Sequence, residues 1–175
     1  MQKTSSFAVA FVIIVAVASA QSKAPISAQA ARGRDIFVNG AKGVVCATCH
    51  SMGGLGTAIG PDLTNMASFA PPRGFVQTMH MSMTEYVQQV KTPEGAFPGM
   101  VKQKNDEETE VWDLSQMPPV LRKLPSKQIS MTREQKWKHP PSTVEYTPQE
   151  LADLIGFLKW ASTGSTKEIK TADVE

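Results

Sequence analysis

Cys46-Ala47-Thr48-Cys49-His50, followed ten residues later by Gly60-Pro61-Asp62-Leu63-Thr64, decides the reading of this chain. The pentapeptide holds both cysteines among the 175 residues. Two thiols three positions apart on one helical turn reach the two vinyl groups of a haem edge and form thioethers. The next residue then sets an imidazole beneath the iron. This is the C-x-x-C-H pattern of covalent c-type haem attachment. The competing readings are a redox disulfide, half of a zinc site, or chance. Zinc needs further ligands of matching softness, and no second cysteine pair exists. A thioredoxin-like motif needs a βαβ setting, which the surrounding pattern lacks.

The rest of the composition is permissive. Eighteen basic against sixteen acidic side chains leave a formal charge of +2, too small and too evenly spread for nucleic-acid binding. Two cysteines make no disulfide framework, and no low-complexity or collagen-like period is present. At the start, Lys3 precedes the apolar run Phe7 to Ala18 and the small-residue triplet Ala18-Ser19-Ala20. This predicts a signal peptide over 1–20, cut before Gln21, and a periplasmic or secreted protein. The run is shorter than the roughly 20 residues a membrane span needs, and no later stretch reaches that length. No direct membrane span is therefore expected after cleavage, and a signal retained uncleaved as an anchor is the alternative.

With Gly60-Pro61-Asp62-Leu63 following C-x-x-C-H, the sequence resembles the class I cytochrome c family. The resemblance implies that the Pro61 carbonyl accepts the N–H of the proximal ligand His50, and that Leu63 packs on the porphyrin as part of the haem pocket. Two helices fit it. Ser27 to Phe37 reads as a helix with Ala31, Ile36 and Phe37 on its buried face, and Gly33 and Phe37 match the family's glycine and aromatic positions. Thr147-Pro148-Gln149-Glu150 is a capping box with proline in the first turn. Leu151, Leu154, Ile155, Leu158 and Ala161 then recur at helical spacing, Gly164 is a stop, and Tyr146 is placed to staple to Leu151. Gly33 would let the two helices cross closely, against Phe157 or Trp160. The implied fold is all-α: three to four helices around one covalently bound haem c, with an inserted loop or short β-hairpin before the C-terminal helix.

The chain departs from the family in the slot for the sixth iron ligand. A Met-Pro pair is expected a few residues before the last helix, but Met117-Pro118 lies some 30 residues ahead of it and Met100 farther still. His139, in Trp137-Lys138-His139-Pro140, stands in that slot. Neutral imidazole ligates haem iron well, so His139 is the leading distal candidate. Met117 and Met100 are the alternatives, ahead of Met131, His80 or an open site. The surplus, about 94–129, is an insertion whose pattern, Met100–Lys104 and Thr109–Leu114 around a polar turn, suggests a hairpin. A similar insertion occurs in haem domains attached to some bacterial dehydrogenases. Ser82-Met83-Thr84-Glu85 reads as a second capping box opening a helix through Tyr86, Val87 and Val90. Met79, Met81 and Met83 around His80 admit a copper reading, although lining the haem crevice is the simpler role. Arg73, Trp137 and Lys138 are candidates to meet a haem propionate.

The sequence therefore divides into a signal peptide (1–20), a flexible segment (21–26), a cytochrome domain (27–162) and a flexible tail (163–175). The function it implies is a non-enzymatic, monohaem one-electron carrier with redox protein partners. The alternatives are a dedicated haem subunit of a periplasmic dehydrogenase or reductase, and a peroxidase or gas-binding protein with a labile sixth ligand. The subunit reading allows association with a membrane oxidoreductase. It draws on the Phe157–Ala161 end of the last helix, which is similar to that of the small cytochrome subunit of nitric-oxide reductases.

Overall fold

The computed structural model describes residues 24–175 apart from 41, 44, 82–85, 135 and 140–144. The expected signal peptide lies outside the described residues. Among those described, no helix is long and apolar enough to cross a membrane.

The core is built where the first and last helices cross. Helix α1 (Ala28–Asn39) starts at Ser27, whose side chain accepts from the Ala30 N–H, and it buries Ala30, Gly33, Ile36 and Phe37. The inward residue of its first turn is Ala30, and Ala31 is exposed. Helix α4 (Pro148–Thr163) carries the full capping box between Thr147 and Glu150 and stops at Gly164, which adopts the left-handed conformation at φ 74°. Beyond the expected stripe it also buries Ala152, Asp153, Gly156 and Phe157. It is thus a central helix packed on most of its circumference. Phe37 meets Phe157 with ring centres 5.5 Å apart.

The two helices come close together at Gly33, and the atoms nearest to it belong to the Asp153–Leu154 backbone. A Cβ added there would lie 1.9 Å from the Asp153 carbonyl oxygen. Beside it, Arg32 grips the buried Asp153 carboxylate with two hydrogen bonds, Nε to Oδ2 at 2.7 Å and Nη2 to Oδ1 at 2.9 Å, and Gln149 adds a third. Burial pushes the Asp153 carboxyl upward, but the bonds from Arg32 and Gln149 and the guanidinium charge outweigh it and hold the group below its ordinary value. A depressed carboxyl stabilises the fold above its unfolded pKa, and that contribution is lost as pH falls through the folded one. Asp153→Ala is expected to cost about 1–3 kcal/mol in urea unfolding near neutral pH. The gap to the parent should narrow as the pH is taken below 4. A loss independent of pH would show that the carboxylate's charge plays no part.

Short helices α2 (Leu63–Phe69) and α3 (Pro72–His80) complete the helical layer. Lys159 Nζ donates to the carbonyl of Ala70, the C-cap of α2, and Ser162 Oγ to that of Thr64, fastening both ends of α2 to α4. The segments expected to be flexible are tied down in their described parts. Beyond α4, Ile169 and Val174 are buried in the helical core. The Gln29 side chain donates to the Ile169 carbonyl and accepts from its N–H. At the other end Trp160 Nε1 donates to the Ala24 carbonyl. Two isolated apolar residues in a polar stretch show no period, yet each fills a place in the core.

The all-α expectation does not hold. Between α3 and α4 lies a five-stranded antiparallel sheet, β3 (Gln88–Thr92), β4 (Gly95–Lys104), β5 (Glu108–Asp113), β6 (Val120–Pro125) and β7 (Ser130–Arg133), in the order β6-β5-β4-β3-β7. A further two-stranded hairpin, β1 (Ser51–Met52) and β2 (Leu55–Gly56), lies earlier. The insertion therefore spans 88–133, wider than 94–129, and the expected hairpin is its β4–β5 centre. Val90, expected at the end of a helix, is in β3; residues 82–85 of that expected helix lie outside the described residues.

This sheet is rolled. Its two edge strands are joined by a single 3-10 turn, Ser126–Gln128, and Ile129. In a flat sheet the edges would stand about 19 Å apart, four steps of about 4.8 Å, farther than so short and coiled a link can reach. Ser126 is held under the β4–β5 turn by bonds to the Glu107 and Asn105 carbonyls and to Thr109. Each strand sends one large side chain to the interior: Val90, Phe97, Val111, Leu124 and Met131. Gly99 leaves room for them, since a Cβ there would stand 2.6 Å from Val111. Arg122 closes one end, over the Phe97 ring and paired with the buried Asp113. This small core is separate from the helical one. Its feet are shut, because β3 pairs with β7 and the Glu134 N–H donates to Val87.

Candidate functional site

Cys46, Ala47 and Thr48 form a 3-10 turn, and the His50 N–H closes it onto the Cys46 carbonyl at 2.9 Å. The chain then doubles back through the β1–β2 hairpin, whose turn needs positive φ at Gly53 (55°) and Gly54 (86°). The returning strand lies on the motif: Thr57 N–H donates to Ala47, and the Ile59 and Gly60 N–H groups to Cys49. Gly60 passes directly beneath the imidazole, where a Cβ would stand 2.8 Å from His50 Cε1.

The next residue does the orienting. Pro61 presents its carbonyl to His50 Nδ1 at 2.8 Å, which leaves Nε2 free to bind a metal. Asp62 caps α2 through the Thr64 N–H and accepts from Ser51 Oγ. The Ser51 and Thr64 bonds hold its carboxyl below the ordinary value. Asp62 and Ser51 were missing from the sequence-predicted site. The signal that finds them is an aspartate immediately before a helical run. Leu63, the first residue of α2, is half-buried and packs on the core edge with Cys46, Ala47, Met66, Val76 and Met79.

Burial pushes the Cys46 thiol up to about 11 and raises Cys49 as well. Redox and nucleophilic cysteines need the opposite shift. The His50 imidazole is lowered by burial, against the Pro61 carbonyl and the Asp62 charge, which raise it. His139 is lowered by burial, then by His50 and His80, with the Met79 backbone opposing. Both rings are therefore held toward the neutral form that binds a metal.

The distal candidates separate by position. His139 faces His50, with ring centres 6.2 Å apart and planes 24° from parallel. Two imidazoles bonded to opposite sides of one metal ion at about 2 Å each have centres about 6 Å apart. His139 Nδ1 is buried and has no hydrogen-bond partner among the described residues, an arrangement that is costly unless another group satisfies it. The residues thus fit a metal ion between His50 and His139, with Cys46 and Cys49 in the turn that leads directly into His50. Met117 is 49% exposed in the β5–β6 loop. Met100 lies in β4 opposite Trp112, and Met131 packs in the sheet's own core. His80 ends α3, close enough to His139 to influence its titration. Of the methionines near it, Met79 is half-buried at the core edge, Met81 is exposed, and Met83 lies outside the described residues. Among the described residues no group of three His, Cys, Asp or Glu side chains is placed to hold a further metal ion. Trp137 packs against His139, ring centres 5.5 Å apart at 55°.

A family model described as Cytochrome c matches residues 30–116, about half of the chain, from α1 into the β5–β6 loop. No curated protein matches the chain.

Proposed function

Since the chain belongs to the cytochrome c family, with covalently bound haem c and electron transfer as its chemistry, we propose that it is an exported, monohaem one-electron carrier with bis-histidine iron ligation. The observation that carries the proposal is the facing pair His50 and His139, 6.2 Å apart. Bound haem supplies a couple that accepts and releases one electron. Cys46 and Cys49 would hold its edge, and His50 would bind the iron through the nitrogen that Pro61 leaves free. His139 would hold it from the side opposite His50, while Leu63, Met66, Val76 and Met79, half-buried at the core edge, would help to keep water from the group. With His50 and His139 both on the iron, no position would be left for a substrate, which suits transfer rather than catalysis. A single C-x-x-C-H supports one haem, and the apolar leader supports export.

The purified holoprotein is expected to give a low-spin ferric spectrum, to resist CO when reduced, and to have a reduction potential below that of His/Met cytochromes. His139→Ala, made alone and with His80→Ala to remove the nearest substitute, should convert the iron to high spin and open it to CO. Met117→Ala and Met100→Ala should leave the spectrum unchanged. A low-spin spectrum surviving in the double histidine variant would overturn the ligand assignment. Rapid CO binding by the parent would favour a gas-binding or peroxidatic role instead.

The separate rolled sheet favours a second reading, a dedicated subunit of an oxidoreductase, because it adds surface without joining the helical core. A carrier purifies as a stable monomer, whereas a subunit brings its partner with it.

A further inference from the structure

The two facing imidazoles are held in unequal ways. His50 is fixed by its own N–H, by the Pro61 carbonyl and by the close passage of Gly60. His139 is carried on the connection between the end of β7 at Arg133 and the α4 cap at Thr147, with no strand or helix of its own among the described residues. The described anchors of that loop are at its two ends. Glu134 is buried, donates its N–H to Val87 and accepts from the Lys136 N–H; Tyr146 is buried in the helical core. Neither reaches the imidazole. The Met79 backbone hydrogen-bonds to it from α3, and the rigid side chain that packs against it is Trp137, half-buried and set at 55° to the ring.

We propose that Trp137 is the positioning residue for His139: its indole, leaning on the imidazole at an angle, sets the ring's rotation and keeps it opposite His50. This rests on the reading of His139 as the distal iron ligand. An indole is a large plate with only two side-chain torsions, and a tilted aromatic pairing is favourable beyond the area it buries. On the distal side the Met79 backbone plays the part that the Pro61 carbonyl plays for His50, and Trp137 adds by packing the control of rotation that one hydrogen bond lacks. Without the indole, His139 keeps the Met79 hydrogen bond but loses the plate that fixes the ring's rotation about that bond.

The test uses the haem-loaded full chain with Trp137→Ala, Trp137→Leu and Trp137→Phe. All three keep Cys46, Cys49 and His50, so covalent haem, read by haem staining after denaturation, reports that each variant has matured. In the alanine and leucine variants the low-spin ferric EPR signal is expected to shift and broaden, since it depends on the relative rotation of the two imidazoles. Cyanide association with the ferric protein should rise about tenfold, the rate equivalent of one tilted ring pairing. Phenylalanine, which restores a flat ring, should return both readings to near the parent values. Leucine fills much of the same space without a plate and carries the test where the alanine variant fails to mature. Parent-like EPR and cyanide kinetics in the leucine variant would overturn the proposal, as would a phenylalanine variant as disturbed as leucine. Failure of the underlying ligand reading is distinguishable: His139→Ala with His80→Ala would then remain low-spin, whatever the Trp137 variants show.

Discussion

Gly33→Ala is expected to destabilise the protein by about 3 kcal/mol or more, a fall in melting temperature of about 10 °C for a chain of this size. The added methyl would stand 1.9 Å from the Asp153 carbonyl oxygen and 2.9 Å from the Leu154 nitrogen. Both are backbone atoms inside a helix, so neither can rotate aside. Relief requires α1 and α4 to part, and parting them stretches the Arg32–Asp153 pair and loosens Phe37 against Phe157. Two effects oppose each other. Alanine is favoured over glycine in a helix interior by about 1 kcal/mol, while overpacking a core against an unyielding wall costs up to about 3 kcal/mol and occasionally more. The clash prevails here because the wall is main chain. Chemical denaturation of the haem-loaded variant measures the outcome. A loss under about 1 kcal/mol would mean that the crossing has slack that the interatomic distances deny.

The second large effect is chemical. The double variant Cys46→Ala, Cys49→Ala is expected to lose all haem that survives denaturation, and each single variant to keep one linkage. Haem staining after gel electrophoresis in denaturant gives the answer directly. His50 remains in place, held by Pro61, so a reversible iron bond is still open to the double variant; the thioethers are what make attachment permanent. The thermal midpoint should fall as well, because Leu63, Met66, Val76 and Met79 are half-buried at the core edge and lose the apolar surface they would cover. Covalent haem in the double variant would place the attachment elsewhere and sink the reading of the motif.

What could be read from the chain follows the range of the interactions involved. The motif, the α4 capping box and the Gly164 stop are local: each is complete within a few residues, and the structure repeats them closely. Gly33 was legible as a point of close approach, but its partner was not. A glycine advertises room, not what fills it. The sheet escaped for a different reason. Five strands that each contribute one large interior residue leave almost no alternation to detect. Gln88–Thr92 shows a single buried Val90, and β6 reads as a mixed polar run between prolines. Only β4 and β5, the longest pair, signal a hairpin. Ile169 and Val174 were similarly silent, as lone apolar residues whose importance comes from the cavity they enter. The proximal half of the site was legible because it is contiguous. Trp137 and the Met79 backbone belong to the distal half, which is assembled from α3 and a loop nearly 60 positions farther along.

The shut feet of the rolled sheet have a consequence for how the chain finds its fold. Helices α1 and α4 make the main core interface, yet they sit far apart in sequence. Bringing them together closes a loop of more than a hundred residues. The sheet is made of neighbouring hairpins and pins Val87 beside Glu134 when it forms. Formed first, it removes somewhat under half of that loop from the search, and the logarithmic dependence of closure entropy makes the saving about 0.5 kcal/mol. An insertion that lengthens the path between the last two helices this much therefore adds little to the difficulty of joining the first helix to the last.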